Sequence, residues 1–205
     1  MNKIPLTWVL VSVSCTALGA SPELNEKTFR PAVERYLSAK GDFCLGKFNW
    51  PIVVTDSDRQ HASRDAVQMP VLEKLGLVAS SSGPDDPNAR FYDLTPEGRK
   101  YYIRKKTYTR GPLDAPVAHP GDFCAARLKL DRVVSWLPVT VVDGHEQTTV
   151  RYTYKLAFVA PWARDPGIQK VFPMVDRIVA GEGAQQLVQV FARVEGRWVP
   201  VTPGS

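Results

Sequence analysis

The chain lacks the sequence motifs of the common enzyme classes. Its 205 residues contain no H-x-x-x-H, no G-x-S-x-G, no Walker A sequence and no G-x-G-x-x-G. The familiar zinc-peptidase, α/β-hydrolase, P-loop and dinucleotide-binding motifs are therefore excluded. This absence favours a protein that is not an enzyme. The alternative is a hydrolase whose site is assembled from residues far apart in the sequence.

Histidine is scarce, and the spacing of the histidines does not suit a metal site. The three histidines, His61, His119 and His145, lie far apart, and none is followed by a second histidine or a cysteine after three or four residues. The neighbours with potential ligand atoms, such as Asp65 and Cys124, are more typical of a helix surface and a disulfide. We therefore predict no metal ion and no cofactor.

Long apolar runs are also scarce, and the clearest one lies near the N-terminus. Residues 1–20 contain Lys3, an apolar run from Trp8 to Val13 and the small residues of "ALGA". This order is typical of a secretory signal peptide, and the run is too short to span a bilayer, which needs about 20 apolar residues. We predict a periplasmic or secreted bacterial protein without a transmembrane segment after cleavage. An alternative is a lipoprotein anchored through Cys15.

Cysteine occurs three times, and two copies share a context. The tetrapeptide Gly-Asp-Phe-Cys ends at Cys44 and again at Cys124, and Cys15 falls in the predicted leader. A catalytic redox pair favours C-x-x-C spacing, and structural zinc needs about four ligands. Two cysteines in an exported chain usually pair. We predict a Cys44–Cys124 disulfide that joins the two halves of the chain.

Hydrophobic periodicity divides the chain into two kinds of structure. Apolar residues at helical spacing predict helices over residues 25–39 and 63–76, with an interruption at Pro70 that makes two short helices an alternative. After residue 121 the period changes, and Asp143-Gly144 and Glu195-Gly196 each separate two strand-like runs. Residues 166–181 predict a short amphipathic helix bent at Pro173.

One segment in the first half resembles a known fold family. The run "LEKLGLV" is followed by "SSSGPDDPNAR" and by "FYDLTPEGR", in which Thr95 is a candidate N-cap and Pro96 a first helical residue. Residues 64–102 resemble the C-terminal part of a winged-helix domain. The resemblance implies that residues 64–75 form the helix that contacts DNA, where only Arg64, Gln68 and Lys74 suit base contacts.

The whole chain resembles uncharacterised exported proteins of proteobacteria, and this resemblance implies no activity. We predict an α+β fold with an N-terminal winged-helix-like half and a C-terminal antiparallel β-sheet with one packed helix. The expected division is a signal peptide at 1–20, a helical domain at 21–106, a linker at 107–120 and a β-rich domain at 121–205.

A basic segment is the candidate binding site. Between Glu97 and Asp114 there are six basic residues and no acidic one, and tyrosines are interleaved among them. The six are Arg99, Lys100, Arg104, Lys105, Lys106 and Arg110. Basic side chains bind polyanions by releasing counterions, and aromatic rings can stack on bases.

For an exported protein, this segment suggests an anionic envelope surface or an acidic envelope protein as partner. The alternative without a binding role is a basic face exposed to solvent, with the tyrosines packed in the core. We therefore predict a non-enzymatic module that binds a protein or a surface. Nucleic-acid binding is the alternative if the leader is misread.

Overall fold

The structure is a computed structural model that describes residues 24–83, 86–111 and 115–201. The predicted signal peptide at 1–20, together with Cys15 and its alternative role as a lipid anchor, lies outside the described residues. The described part combines helices with antiparallel sheets, which confirms the α+β class.

The helices are short except for the first one. Their bounds are Glu26–Lys40 (α1), Asp56–Gln60 (α2), Arg64–Lys74 (α3), Pro96–Arg99 (α4), Pro166–Val171 (α5) and Pro173–Ala180 (α6). A 3-10 turn at Pro161–Arg164 precedes α5.

The strands range from two to fifteen residues. Their bounds are Asp42–Cys44 (β1), Ile52–Val54 (β2), Val78–Ser82 (β3), Arg90–Leu94 (β4), Tyr102–Ile103 (β5), Thr107–Arg110 (β6), Pro116–His119 (β7), Asp122–Trp136 (β8), Thr140–Val142 (β9), His145–Val159 (β10), Gln186–Val194 (β11) and Arg197–Pro200 (β12).

The strands form one large sheet and two small ones. The large sheet has the order β1-β8-β10-β11-β12, with β5 paired to β8 and β9 paired to β10. A three-stranded sheet has the order β2-β4-β3, and β6 pairs with β7. All of these pairs are antiparallel.

Both predicted hairpin turns are present in the large sheet. Asp143 and Gly144 have φ values of +49° and +76°, and Glu195 and Gly196 have values of +49° and +75°. Two consecutive left-handed residues define the type I′ turn, which matches the twist of the strands that it joins. Local sequence therefore determines where β9 turns into β10 and where β11 turns into β12.

The first helix follows its local signals closely. Asn25 caps it, since its side chain accepts a hydrogen bond from the Thr28 backbone N–H at 3.2 Å, and the Thr28 hydroxyl accepts one in return. Its apolar stripe packs against the large sheet, where the Phe29 ring lies 5.3 Å from both the Trp136 and the Trp198 ring centroids. Helix α1 therefore packs against strands β8 and β12 of the large sheet.

The two predicted proline interruptions differ in outcome. Helix α3 runs without a break through Pro70, so that the alternative of two short helices is wrong. Residues 166–180 do break: α5 ends at Val171 and α6 begins at Pro173. Pro70 is exposed, on the side of the helix where water can bond the carbonyl that loses its amide partner.

The segment that carries the family resemblance has the predicted local order. Helix α3 leads to β3, and a turn-rich loop leads to β4. The Thr95 hydroxyl then caps α4 by accepting a hydrogen bond from the Gly98 backbone N–H at 3.1 Å.

Two hydrophobic cores hold the structure together, and both combine residues from the two halves of the chain. One contains Leu72 and Tyr92 of the first half with Phe123 and Trp162 of the second. The other places α1 against the strands of the large sheet. Moreover, the predicted linker at 107–120 contains the paired strands β6 and β7. The packing therefore does not divide at that segment.

Candidate functional site

The basic segment runs along the surface from α4 to the end of β6. Arg99 and Lys100 lie at the end of α4, the next three basic residues connect β5 to β6, and Arg110 is the last residue of β6. All six side chains are exposed. The structure therefore presents the predicted charges to solvent along one continuous stretch of chain.

Two of the lysines also have local structural roles. Lys100 pairs with Glu97, and this hydrogen bond raises the pKa of Lys100 and lowers the pKa of Glu97. The Lys105 ammonium donates to the Ala39 carbonyl oxygen at 2.6 Å. Ala39 lies in the last turn of α1, where exposed carbonyl groups favour a cation. Lys105 thus ties the basic segment to the first helix.

The three interleaved tyrosines do not share one role. Tyr101 packs edge-on against Phe123 and Trp162 in the first core. The Tyr102 hydroxyl donates to the Phe48 carbonyl oxygen at 2.6 Å. Tyr108 alone among the three is largely open to solvent, with 62% of its surface exposed. Stacking of several bases on this segment is therefore not supported.

A cleft of about 320 Å³ lies where the basic segment passes the end of α1. Its cationic residues are Lys40, Lys105 and Lys106, and its acidic residues are Asp42 and Asp122. Lys40 was not recognised from the sequence as a site residue. It lies one residue past the helix predicted over residues 25–39, and only the packing of α1 on the large sheet brings it beside the basic segment.

The predicted disulfide is confirmed, and it lies in the wall of this cleft. Cys44 and Cys124 face each other across β1 and β8, with an S–S distance of 1.95 Å. Both residues line the cleft. The bridge therefore fixes the two strands from which Asp42 and Asp122 project.

The two acidic residues of the cleft differ in how far the protein satisfies them, since Asp42 keeps a buried carboxylate oxygen without a hydrogen bond. Asp122 accepts hydrogen bonds from the backbone N–H groups of Lys47 at 2.8 Å and Gly46 at 3.3 Å. Burial nevertheless raises the pKa of Asp122, and these hydrogen bonds act against the shift. Asp42 lies 3.7 Å from the Arg127 guanidinium and 4.0 Å from the Lys105 ammonium. Both acidic residues are half-buried and the three lysines of the cleft are exposed, so that a ligand would meet the lysines first.

A neighbouring cleft of about 270 Å³ extends the basic surface. It is lined by Lys100, Arg127 and Phe158, and it shares Asp42 and Cys124 with the first cleft. Arg127 was also missed in the sequence, because its position opposite Asp42 depends on the register of β1 on β8.

The histidines are not brought together. The His119 ring stacks on Phe48 with centroids 4.0 Å apart, and its Nε2 atom lies 2.8 Å from the Thr109 hydroxyl. His61 contacts the Ser57 carbonyl oxygen beside α2, and His145 is exposed at the start of β10. Within the described ranges, no three His, Cys, Asp or Glu side chains are grouped to hold a metal ion.

The helix that the resemblance assigns to DNA contact is partly covered. The Gln68 side chain donates to the Val171 carbonyl oxygen at 2.9 Å and is only 8% exposed. Helix α5 contacts α3 on this side. Of the three candidate base-contacting residues, only Arg64 and Lys74 are exposed. Packing between the two halves of the chain therefore makes Gln68 inaccessible to a ligand.

Comparisons of the chain with protein-family models, with curated proteins and with solved structures find no match. In the part of the chain that the structure describes, no helix has both the length and the apolar character needed to cross a membrane. The geometry of the basic segment and its clefts is therefore the basis for any functional conclusion.

Proposed function

We propose that this chain is an exported bacterial envelope protein, without enzymatic activity, that binds an acidic partner protein through its basic segment and the adjoining cleft. The observation that carries the proposal is the exposure of six basic side chains along residues 99–110. Lys40 of α1 adds a further cation to the same cleft. Charge of one sign on a fixed surface steers an oppositely charged partner and selects its orientation.

Two features support a location outside the cytoplasm. Residues 1–20 have the order of a signal peptide. The disulfide between Cys44 and Cys124 is a bond that persists in oxidising compartments. In this setting the winged-helix-like segment at residues 64–102 acts as a structural module. Its α3 helix packs on α5.

The binding proposal is tested with the mature protein, residues 21–205, immobilised and exposed to envelope extract. The test variant carries Arg99→Glu, Arg104→Glu and Lys106→Glu. Lys105 is left unchanged because its ammonium donates a hydrogen bond to Ala39 of α1. The control variant carries Lys27→Glu, Arg90→Glu and Arg164→Glu, three exposed residues in other parts of the fold.

Capture of an acidic protein is expected for the wild type and the control and is expected to be lost in the test variant. Capture should also weaken as salt rises, because the Debye length falls from about 30 Å at 0.01 M to about 8 Å at 0.15 M. An unchanged set of captured proteins in the test variant would show that the basic segment is not the binding site.

Export is tested separately by fusing residues 1–30 to alkaline phosphatase, an enzyme that is active only after export. Phosphatase activity of the fusion supports the proposed compartment. Retention of an inactive fusion in the cytoplasm would contradict it and would favour nucleic-acid binding instead.

A further inference from the structure

At the start of β8 the large sheet is covered on both faces, since Phe123, Cys124, Ala125 and Ala126 are all buried. Further along β8 and β10 only one face is covered, and the other is the open face. On β10, the side chains of Val150, Tyr152 and Tyr154 point towards the core that contains α1, and all three are buried. Arg151, Thr153 and Lys155 point the other way; Arg151 and Lys155 are exposed, whereas Thr153 is buried and its hydroxyl donates to Asp131 at 2.9 Å. Because strand residues alternate between the faces of a sheet, the register of the neighbouring strands identifies the rest of the open face.

Four cations occupy the half of the open face formed by β8 and β10. Lys129 lies directly opposite Lys155. On the same face, the next pair contains Arg132 and the pair after it contains Arg151. Like charges placed directly opposite each other destabilise a strand pair. Asp131, at a bulge of β8, offsets part of this charge through its contact with Lys155 at 3.1 Å. The arrangement costs stability and leaves an excess of positive charge.

The other half of the open face is apolar. Along β11 the outward positions after Gln186 are Val188, Val190, Ala192 and Val194, of which Ala192 is buried, while Phe191 faces the core. Val188 is 56% exposed. A row of apolar side chains is typical of a covered sheet face, yet the second core, which contains Phe191, lies on the opposite face of β11.

An aromatic side chain ends the same face. Phe158 pairs with Arg127 in the register of β10 on β8 and is 49% exposed. Exposed apolar and aromatic side chains beside basic ones are the combination by which a protein inserts into the headgroup region of an anionic membrane.

The apolar arrangement and the charge of this face decide between its potential occupants. Its exposed apolar side chains, Val188, Val194 and Phe158, lie on two different strands, whereas a protein interface has a continuous, well-packed apolar centre. A second copy of the chain would bring the same four cations against the first. A lipid surface needs neither a large apolar area nor a matching shape, and each lysine or arginine near it strengthens binding by about fivefold.

We propose that the open face of the large sheet binds an anionic phospholipid surface. The four cations contact the headgroups, and Val188, Val194 and Phe158 enter the interfacial region. This surface adjoins the basic segment at Phe158, which lines a cleft together with Lys100. Its four cations lie outside residues 99–110, and the basic segment is left to the partner protein. The protein is thereby held at the membrane while the basic segment remains accessible.

The test is sedimentation of the mature protein with vesicles of phosphatidylglycerol and phosphatidylcholine, compared with vesicles of phosphatidylcholine alone. The first variant carries Lys129→Gln, Arg132→Gln and Arg151→Gln and keeps Lys155, which pairs with Asp131. Loss of three cations is expected to weaken binding to the anionic vesicles by about 100-fold. Thermal unfolding confirms that each variant is folded.

A second pair of variants tests the apolar half. Val188→Asp is expected to weaken vesicle binding at least tenfold. Val53→Asp changes a valine of similar exposure in the three-stranded sheet and is expected to bind like the wild type. The variant with Arg99→Glu, Arg104→Glu and Lys106→Glu is expected to keep most of its vesicle binding, which separates this proposal from the proposed function.

Three results would overturn the proposal. The first is equal binding to anionic and neutral vesicles, and the second is unchanged binding by the sheet-face variants. The third is that the sheet-face variants still bind vesicles but no longer capture protein from the envelope extract. That result would identify the face as a protein interface.

Discussion

The two Gly-Asp-Phe-Cys copies have the same sequence but different surroundings. The first copy forms β1 at the edge of the large sheet, and the second begins β8 in its interior. Phe43 of the first copy is partly buried, whereas Phe123 of the second is fully buried and stacks on Trp162 with centroids 5.2 Å apart. Four identical residues therefore do not determine how deeply their phenylalanine is buried, because burial depends on what the rest of the chain packs around them.

The glycines are the part of the motif that the two copies use alike. A Cβ atom on Gly41 would lie 2.6 Å from the Leu128 carbonyl oxygen and would also meet the Leu37 carbonyl oxygen. A Cβ atom on Gly121 would lie 2.5 Å from the Ile103 carbonyl oxygen. Each copy thus begins where the backbone passes too close to another strand or helix for a side chain.

Removing the bond between the two copies is expected to have the largest effect. Cys44→Ala with Cys124→Ala should lower the free energy of unfolding by about 4 to 5 kcal/mol in the chain-entropy model, because the bridge spans 80 residues. Denaturant unfolding measures the loss. Reductant should destabilise the wild type to the same extent and leave the variant unchanged. A variant as stable as the oxidised wild type would contradict the prediction.

The second effect distinguishes the two phenylalanines. Phe123→Ala should cost about 3 to 5 kcal/mol, since it leaves a cavity in a core, and Phe43→Ala should cost about 1 to 2 kcal/mol. Both variants keep the disulfide and are compared by denaturant unfolding under oxidising conditions. Equal losses would mean that the edge copy is as well packed as the interior copy.

The smallest effect concerns the acidic residue of the interior copy. Burial raises the pKa of Asp122 above its ordinary value of 3.8. The folded state therefore holds the proton more tightly than the unfolded state does. It follows that the stability contributed by Asp122 is present below pH 3.8 and is lost as the pH rises through the raised pKa.

Asp122→Asn removes this titration. The free energy of unfolding of the wild type, minus that of the variant, should fall as the pH rises from 3 to 7. The comparison below pH 3.8 is the internal control, because both side chains are then neutral. A difference that rises with pH would show that the backbone hydrogen bonds to the carboxylate outweigh its burial.

Local features of the fold were predictable because neighbouring residues determine them. Asn25 and Thr95 cap their helices, and Asp143-Gly144 and Glu195-Gly196 form the predicted turns. The disulfide followed from the number of cysteines and the predicted compartment. In each of these cases the physical cause lies within a few residues or in the composition of the chain.

Features that depend on distant packing were not predictable. The position of α1 on the large sheet depends on the fit between Phe29 and two tryptophans. The cleft forms because the fold brings Lys40 and Lys105 close together. Gln68 is inaccessible to a ligand because its side chain is hydrogen-bonded to Val171 of α5. The basic segment itself was recognised, whereas the open sheet face requires the register of β8 on β10, which shifts at three places.

The contact between the first helix and the last strand has a consequence for the order of folding. The Arg35 guanidinium donates to the Trp198 carbonyl oxygen at 3.2 Å, a contact between residues 163 positions apart. Helix α1 therefore cannot complete its packing until strand β12, near the end of the described residues, has been synthesised and is free to fold. Contacts of such long range slow folding, so that the second core is completed only after nearly all of the described chain is available to fold.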